Sequence, residues 1–303
     1  MSEIRFLENC KDTYTLPCPR GGVERVHQFD ARSIAAINSA IGAGRPLMVR
    51  GEPGVGKTQL AEAAAEALER AFDWKYAQEH CEMNEIPNAA MILSTGKNLP
   101  RAPQGWVVLI DEIDKAESDV PNGLLEALGS GSFSPLGCSK PVESVEPAPL
   151  TIITTNEERI LPDAFVRRCV VLHIQLPDLQ HGNIKAFMDL MIERGQSHFQ
   201  GQTDEKVLEK AAEILKDDRL AALERSLRPL PGQAEYLDML RAVIRRYPSH
   251  YVNQLKLLDI VANYVVRKPG GMQTQEEIES TTTDEQADPT SPPTKAKRRQ
   301  DRK

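Results

Sequence analysis

Between Ala31 and Arg267 short aliphatic and β-branched runs alternate with longer stretches whose apolar residues recur every three or four positions. The short runs, 47–50, 73–77, 107–110, 151–154 and 170–174, are predicted as strands. Between them, helices are predicted over 33–41, over the Ala-rich 58–70, and over 118–128 with Leu124, Leu125 and Leu128 at helical spacing. Strands and helices in alternation indicate an α/β fold with a parallel sheet and helices on its faces. After Pro177 the strand-like runs stop, and four helices are predicted at about 179–194, 204–224, 233–246 and 249–266. The pattern therefore divides the chain into an N-terminal segment 1–30, an α/β core 31–177, a helical unit 178–267 and a tail 268–303.

The tail is rich in Thr, Pro, Gln and Glu, with Met272 and Ile278 as its only sizeable apolar side chains, so it is expected to be disordered. Its acidic first part and basic end could serve a partner or simply be solvated. Over the 303 residues, 37 basic against 44 acidic side chains give a net charge of −7. The tail contributes seven of each sign, so the excess acid lies in the body. An acidic body is a poor match for DNA phosphates or anionic membranes, which makes nucleic acid an unlikely partner. With 40% hydrophobic and 27% charged residues the bulk is a globular protein. No apolar run approaches the roughly 18 residues of a membrane helix, and the N-terminus lacks the basic and apolar blocks of a signal peptide. The cytoplasm is the expected location. Five cysteines without Cys-x-x-Cys spacing suggest reduced thiols and neither a disulfide framework nor a zinc site.

Candidate chemistry begins at Gly51-Glu52-Pro53-Gly54-Val55-Gly56-Lys57-Thr58, which follows one predicted strand and opens the Ala-rich helix. This spacing, GxxxxGK[ST], lets glycines shape a loop whose N–H groups face phosphate oxygens. The helix adds its positive end. Lys57 is the expected partner of the β- and γ-phosphates and Thr58 of Mg²⁺. The nucleotide is expected to lie against Gly51, Pro53, Gly54, Val55, Gly56, Lys57, Thr58 and Gln59.

The run Val107-Val108-Leu109-Ile110 ends directly in Asp111-Glu112. Ligands of open parallel sheets bind at the carboxyl ends of strands, so Asp111 is placed to hold Mg²⁺ and Glu112 to polarise the water that attacks the γ-phosphate. Asn156, at the end of another predicted strand, supplies a neutral amide for that water or for the γ-phosphate. Arg167-Arg168 precedes the last strand. An arginine delivered from another subunit is a common aid to this hydrolysis.

Together these segments resemble an AAA+ ATPase, and 51–58, 109–116 and 161–169 are most similar to its MoxR-like branch. The resemblance covers about residues 20–265 and implies a five-stranded sheet in the order 5-1-4-3-2, a helical lid, and a ring, usually hexameric, with ATP between neighbours. On that pattern Gly51, Gly56, Lys57 and Thr58 match Walker A, Asp111 and Glu112 match Walker B, and Asn156 matches sensor 1. Arg168 matches the trans-acting arginine finger, with Arg167 as the alternative. In the lid, Arg228 matches a sensor 2 arginine, although Arg225 is near. The stretch from Val26 to Asp30 falls where the family encloses adenine.

The chain departs from the branch before Trp106, where the segment containing Met83-Asn84-Glu85-Ile86 and Gly96-Lys97-Asn98-Leu99-Pro100 is short for a substrate-threading loop. Residues 129–149, with Phe133 and Val142 as strand positions, resemble the hairpin that precedes sensor 1, either a client contact or a structural hairpin. By resemblance the function is remodelling or activation of a client protein, which in this branch often carries a von Willebrand factor A domain. The same core also serves DNA-dependent motors or loaders and nucleotide-gated signalling modules.

Overall fold

The structure, a computed structural model, describes residues 5–8, 13–16, 25–76, 105–116, 120–121, 124, 132–133, 142–143, 148–267 and 273–274. The chain opens with β1 (Tyr14–Leu16) and β2 (Arg25–His27), an antiparallel pair. Helix α1 (Ala31–Ala43) starts where the Asp30 carboxylate accepts from the Ser33 N–H at 2.6 Å, which satisfies one of the orphan donors of a first turn. Strand β3 (Leu47–Arg50) leads through the glycine-rich loop into α2 (Lys57–Ala67), and β4 (Ala71–Tyr76) and β5 (Trp106–Asp111) follow. Residues 132–133 (β6) and 142–143 (β7) form an antiparallel pair in which Phe133 faces Val142, the hairpin that the sequence suggests. Next come β8 (Leu150–Thr155), the one-turn α3 (Asp163–Val166) and β9 (Val170–His173).

The five long strands form one parallel sheet in the order β4-β5-β8-β3-β9. Counted along the chain from the other edge this is 5-1-4-3-2, the order that the resemblance implies. Side chains of alternate residues leave opposite faces of a strand, and two cores result. Leu47 and Val49 of β3, Leu109 of β5 and Ile152 of β8 pack with Ile37, Leu60 and Ala64 of α1 and α2. Their neighbours Met48, Ile110 and Ile153 pack on the other face with Ile113, Val120, Leu124 and Phe165. A sheet covered on both faces requires near-continuous apolar strands, which is why 107–110 reads as an unbroken run.

Beyond the sheet lie α4 (Ile184–His198), α5 (Glu205–Glu224), α6 (Gln233–Arg246) and α7 (Tyr251–Val265). They enclose their own core around Phe187, Met191, Leu208, Leu215, Tyr236 and Leu240. Between α5 and α6, β10 (Leu227–Arg228) pairs antiparallel with β11 (Gln273–Thr274). The expected tail thus includes one described pair of residues that returns to the helical unit, and the rest of 268–303 lies outside the described residues. So do the segment before Trp106 that is short for a threading loop and most of the helix at 118–128. Among the described residues no helix is long and apolar enough to cross a membrane.

Candidate active site

Strand β3 lies between β8 and β9, so the loop after it emerges inside the sheet and not at an edge. Backbone approach here is too close for side chains. A Cβ on Gly51 would stand 2.3 Å from the Ile174 carbonyl oxygen, and one on Gly54 would stand 2.8 Å from the Ala234 Cβ of α6. Both glycines also hold positive φ, 151° and 77°, in conformations that Gly adopts readily. Pro53 and Gly54 are exposed, Val55 is buried, and Gln59 is half-buried on the first turn of α2.

Lys57 is only 7% exposed, and its ammonium donates to Gly51 O (2.7 Å), Glu52 O (2.9 Å) and Asn156 Oδ1 (2.7 Å). Burial lowers its pKa, and Asp111, Asp114, Glu112 and Glu157 pull it back up. Those four acids are what allow a nearly dry ammonium to remain charged.

Asp111, at the end of β5 and 4% exposed, accepts from the Thr58 hydroxyl at 3.1 Å and from the Thr154 hydroxyl. Thr154 in turn accepts from the Glu112 N–H at 2.9 Å, so one hydroxyl on β8 fixes both ends of the acidic pair on β5. Glu112 has left-handed backbone (φ 57°), a conformation that costs a non-Gly residue on the order of 1–2 kcal/mol and that recurs at functional sites. Its carboxylate accepts from Asn156 Nδ2 at 3.4 Å and pairs with Lys115 at 3.2 Å, which raises the Lys115 pKa.

Asn156 therefore touches both Lys57 and Glu112. Its backbone is held by a residue absent from the sequence-derived set: buried Asp114, 2% exposed, accepts from the Asn156 N–H (3.4 Å) and the Glu158 N–H (3.0 Å). The repeat of acid in Asp111-Glu112-Ile113-Asp114 was the available signal, since a third carboxylate so near a buried strand end needs partners of its own.

Two further expected residues lie on other segments. Arg168 is exposed between α3 and β9, as is Arg167, beside buried Cys169 whose thiol is pushed up to about 11 by burial. Arg228 lies on β10 and donates to the neighbouring Leu227 carbonyl at 3.0 Å. From the helical unit, Arg219 of α5 reaches the 51–58 loop: its guanidinium bonds Glu52 at 2.9 and 2.7 Å and Pro231 O at 2.8 Å. The 26–30 stretch meets the helical unit as well: Arg194 donates to Gln28 O at 3.1 Å, and the Gln28 side chain bonds Glu193 and Ser197.

The cluster thus gathers a buried cation, a hydroxyl beside a carboxylate, and a second carboxylate with an amide, all at the carboxyl ends of β3, β5 and β8. Residues 46–169 match the AAA domain family, dynein-related subfamily. This segment is similar to an AAA domain. The match supports an ATP-binding AAA+ core, with the loop at 51–58 and the strand ends inside the matched stretch. Among solved structures the chain is similar to NtrX from Brucella abortus, determined in complex with ATP, at 13% identity over 84% of this chain and 59% of that one (TM-score 0.47). It is also similar to a mutant RuvB of Thermotoga maritima, at 16% identity over 83% and 93% (TM-score 0.43). The chain therefore spans less than two thirds of the NtrX chain. No curated protein compared with the chain matches it.

The donor set of this cluster fits Mg²⁺. Thr58 and Asp111 offer hard oxygens side by side, the kind of partial shell that Mg²⁺ completes with phosphate oxygens and water. Among the described residues no three His, Cys, Asp or Glu group together to hold a metal without a substrate.

Proposed function

We propose that the chain is an Mg²⁺-dependent, MoxR-like AAA+ ATPase that works in an oligomeric ring, hexameric by resemblance, to remodel or activate a client protein. The observation that carries this reading is the contact of Asn156 with both Lys57 and Glu112, because it joins a phosphate-binding cation to a base at the point where a γ-phosphate and its attacking water must meet. Lys57 binds and neutralises the β- and γ-phosphates, and the loop N–H groups of 51–58 orient them. Thr58 and Asp111 would hold Mg²⁺, which supplies charge neutralisation at the phosphates. Glu112 accepts the proton of the attacking water, while Asn156 orients that water, and Lys115 pairs with the Glu112 carboxylate at 3.2 Å.

The units 31–177 and 178–267 act as core and lid, with the nucleotide between them. Arg168 serves a neighbour's site, and its exposed position supports a role outside its own subunit. The client is a protein and not DNA, in keeping with the acidic body, and a von Willebrand factor A domain is the class that the branch suggests. The test is steady-state ATP hydrolysis at increasing protein concentration. Specific activity should rise as rings form and should fall with Arg168→Ala. Concentration-independent activity in a verified monomer would overturn the ring.

A further inference from the structure

The side chain of Arg219 is 7% exposed and that of Glu52 is 41% exposed. Their residues are 167 positions apart, one in the C-terminal half of α5 and the other in the 51–58 loop. The guanidinium makes two bonds to one carboxylate through Nη2 and spends Nη1 on Pro231 O, the residue that leads into α6. One side chain therefore clamps three pieces together: α5, the entry to α6 and the phosphate loop. The entry to α6 also packs against the loop, with Ala234 beside Gly54. The Gly232 N–H is held there by the Glu235 carboxylate at 3.0 Å.

From this geometry we infer that Glu52 and Arg219 are a positioning pair that registers the helical unit on the phosphate loop and thereby sets nucleotide affinity. A buried arginine whose charge partner is removed is left without compensation, so the helical unit cannot keep this seat once the carboxylate moves or is lost. Conversely, any rearrangement of the loop around phosphate is felt at once by α5 and α6. The rigid guanidinium fork serves Glu52 and Pro231 O from two separate nitrogens, a planar geometry that the single ammonium of a lysine does not reproduce. Glu52 lies in the loop and outside the helical unit's core around Leu208, Leu215, Tyr236 and Leu240, so its truncation probes the pair without opening that core.

The inference rests on the reading that the 51–58 loop binds nucleotide phosphate. Its test is binding of a fluorescent ATP analogue, together with amide hydrogen exchange over 51–58 and 205–235 without nucleotide, for the full chain and for Glu52→Ala, Arg219→Met, Arg219→Lys and the double variant Glu52→Ala/Arg219→Met. Each single variant should weaken binding about tenfold, and the double variant should be no weaker than the worse single one. Exchange in both segments should rise together in every variant. Glu52→Ala alters an exposed loop side chain, so it reads the pair even if Arg219→Met folds poorly. Unchanged affinity and unchanged exchange in Glu52→Ala would overturn the pair. Failure of the wild-type chain to bind nucleotide would overturn the ATPase reading, while correlated exchange would still report the tether.

Discussion

The Lys57 ammonium donates to the Asn156 side-chain oxygen over 2.7 Å, joining residues 99 positions apart in the chain. The contact exists because β3 and β8 are adjacent and in parallel register, with Arg50 opposite Thr155, so the segments that leave their carboxyl ends diverge over the same crevice. Asn156 then passes the connection to Glu112 at the end of the next strand.

Replacing Lys57 by Ala should abolish useful nucleotide binding. The charge-assisted bonds of a buried lysine to phosphate are worth a weakening on the order of 100-fold. The fluorescent-nucleotide titration measures it. Binding within about threefold of wild type, with the variant folded, would place the phosphates elsewhere.

Asp114 offers a test of how Asn156 is held. The Asp114→Ala change strips two backbone N–H groups of their buried acceptor, each loss costing about 1–3 kcal/mol, and frees the 156–158 turn. The turnover number should fall at least about tenfold while nucleotide affinity changes little, since Lys57 and the loop remain. Asp114→Asn, which can still accept, should recover part of the loss. An equal fall in affinity and turnover would mean that Asp114 supports the whole site and not the Asn156 turn.

Two half-buried histidines predict a pH dependence of stability. Burial, reinforced by nearby Arg194, lowers His27 to about 3. Burial, with Arg241 and Arg194, lowers His198 to about 4. Because the folded values lie below the unfolded value of about 6.5, the unfolded chain binds more protons between them, and stability present above pH 6.5 is lost as pH falls. Each histidine contributes a slope approaching about 1.4 kcal/mol per pH unit below that point. Urea midpoints measured between pH 7 and 5 should fall, and His198→Gln should flatten the decline. A midpoint that is level across this range would contradict the burial of both rings.

The sequence makes the sheet and the phosphate loop legible because both obey local rules. Apolar runs buried on two faces and the glycine spacing before Lys57 can be read within a window of a few residues. The Asp111-Glu112 pair is legible for the same reason. What the sequence conceals is satisfaction at a distance. Nothing local shows that Thr154 bridges Asp111 and Glu112, or that Asp114 holds the turn after β8, since those partners meet only once β5 and β8 are neighbours. Arg219 was hidden in plain view. Helical spacing puts it with Leu208, Ala211, Ala212, Leu215 and Ala222 on the buried side of α5, yet it lies in the charged run Asp217-Asp218-Arg219, which reads as solvated. Arg228 lies just before the Pro-Gly turn that opens α6. That arginine bonds its neighbour's carbonyl on β10, while Arg219 makes the connection to the loop.

The central claim is that Glu112 drives ATP hydrolysis at this site. Steady-state turnover and bound nucleotide, measured on the same samples of wild type and Glu112→Gln, test it most directly. Glu112→Gln should retain ATP binding and lose at least about 100-fold in turnover, the contribution expected of a positioned base. A Glu112→Gln protein that binds ATP and turns over at the wild-type rate would contradict the account.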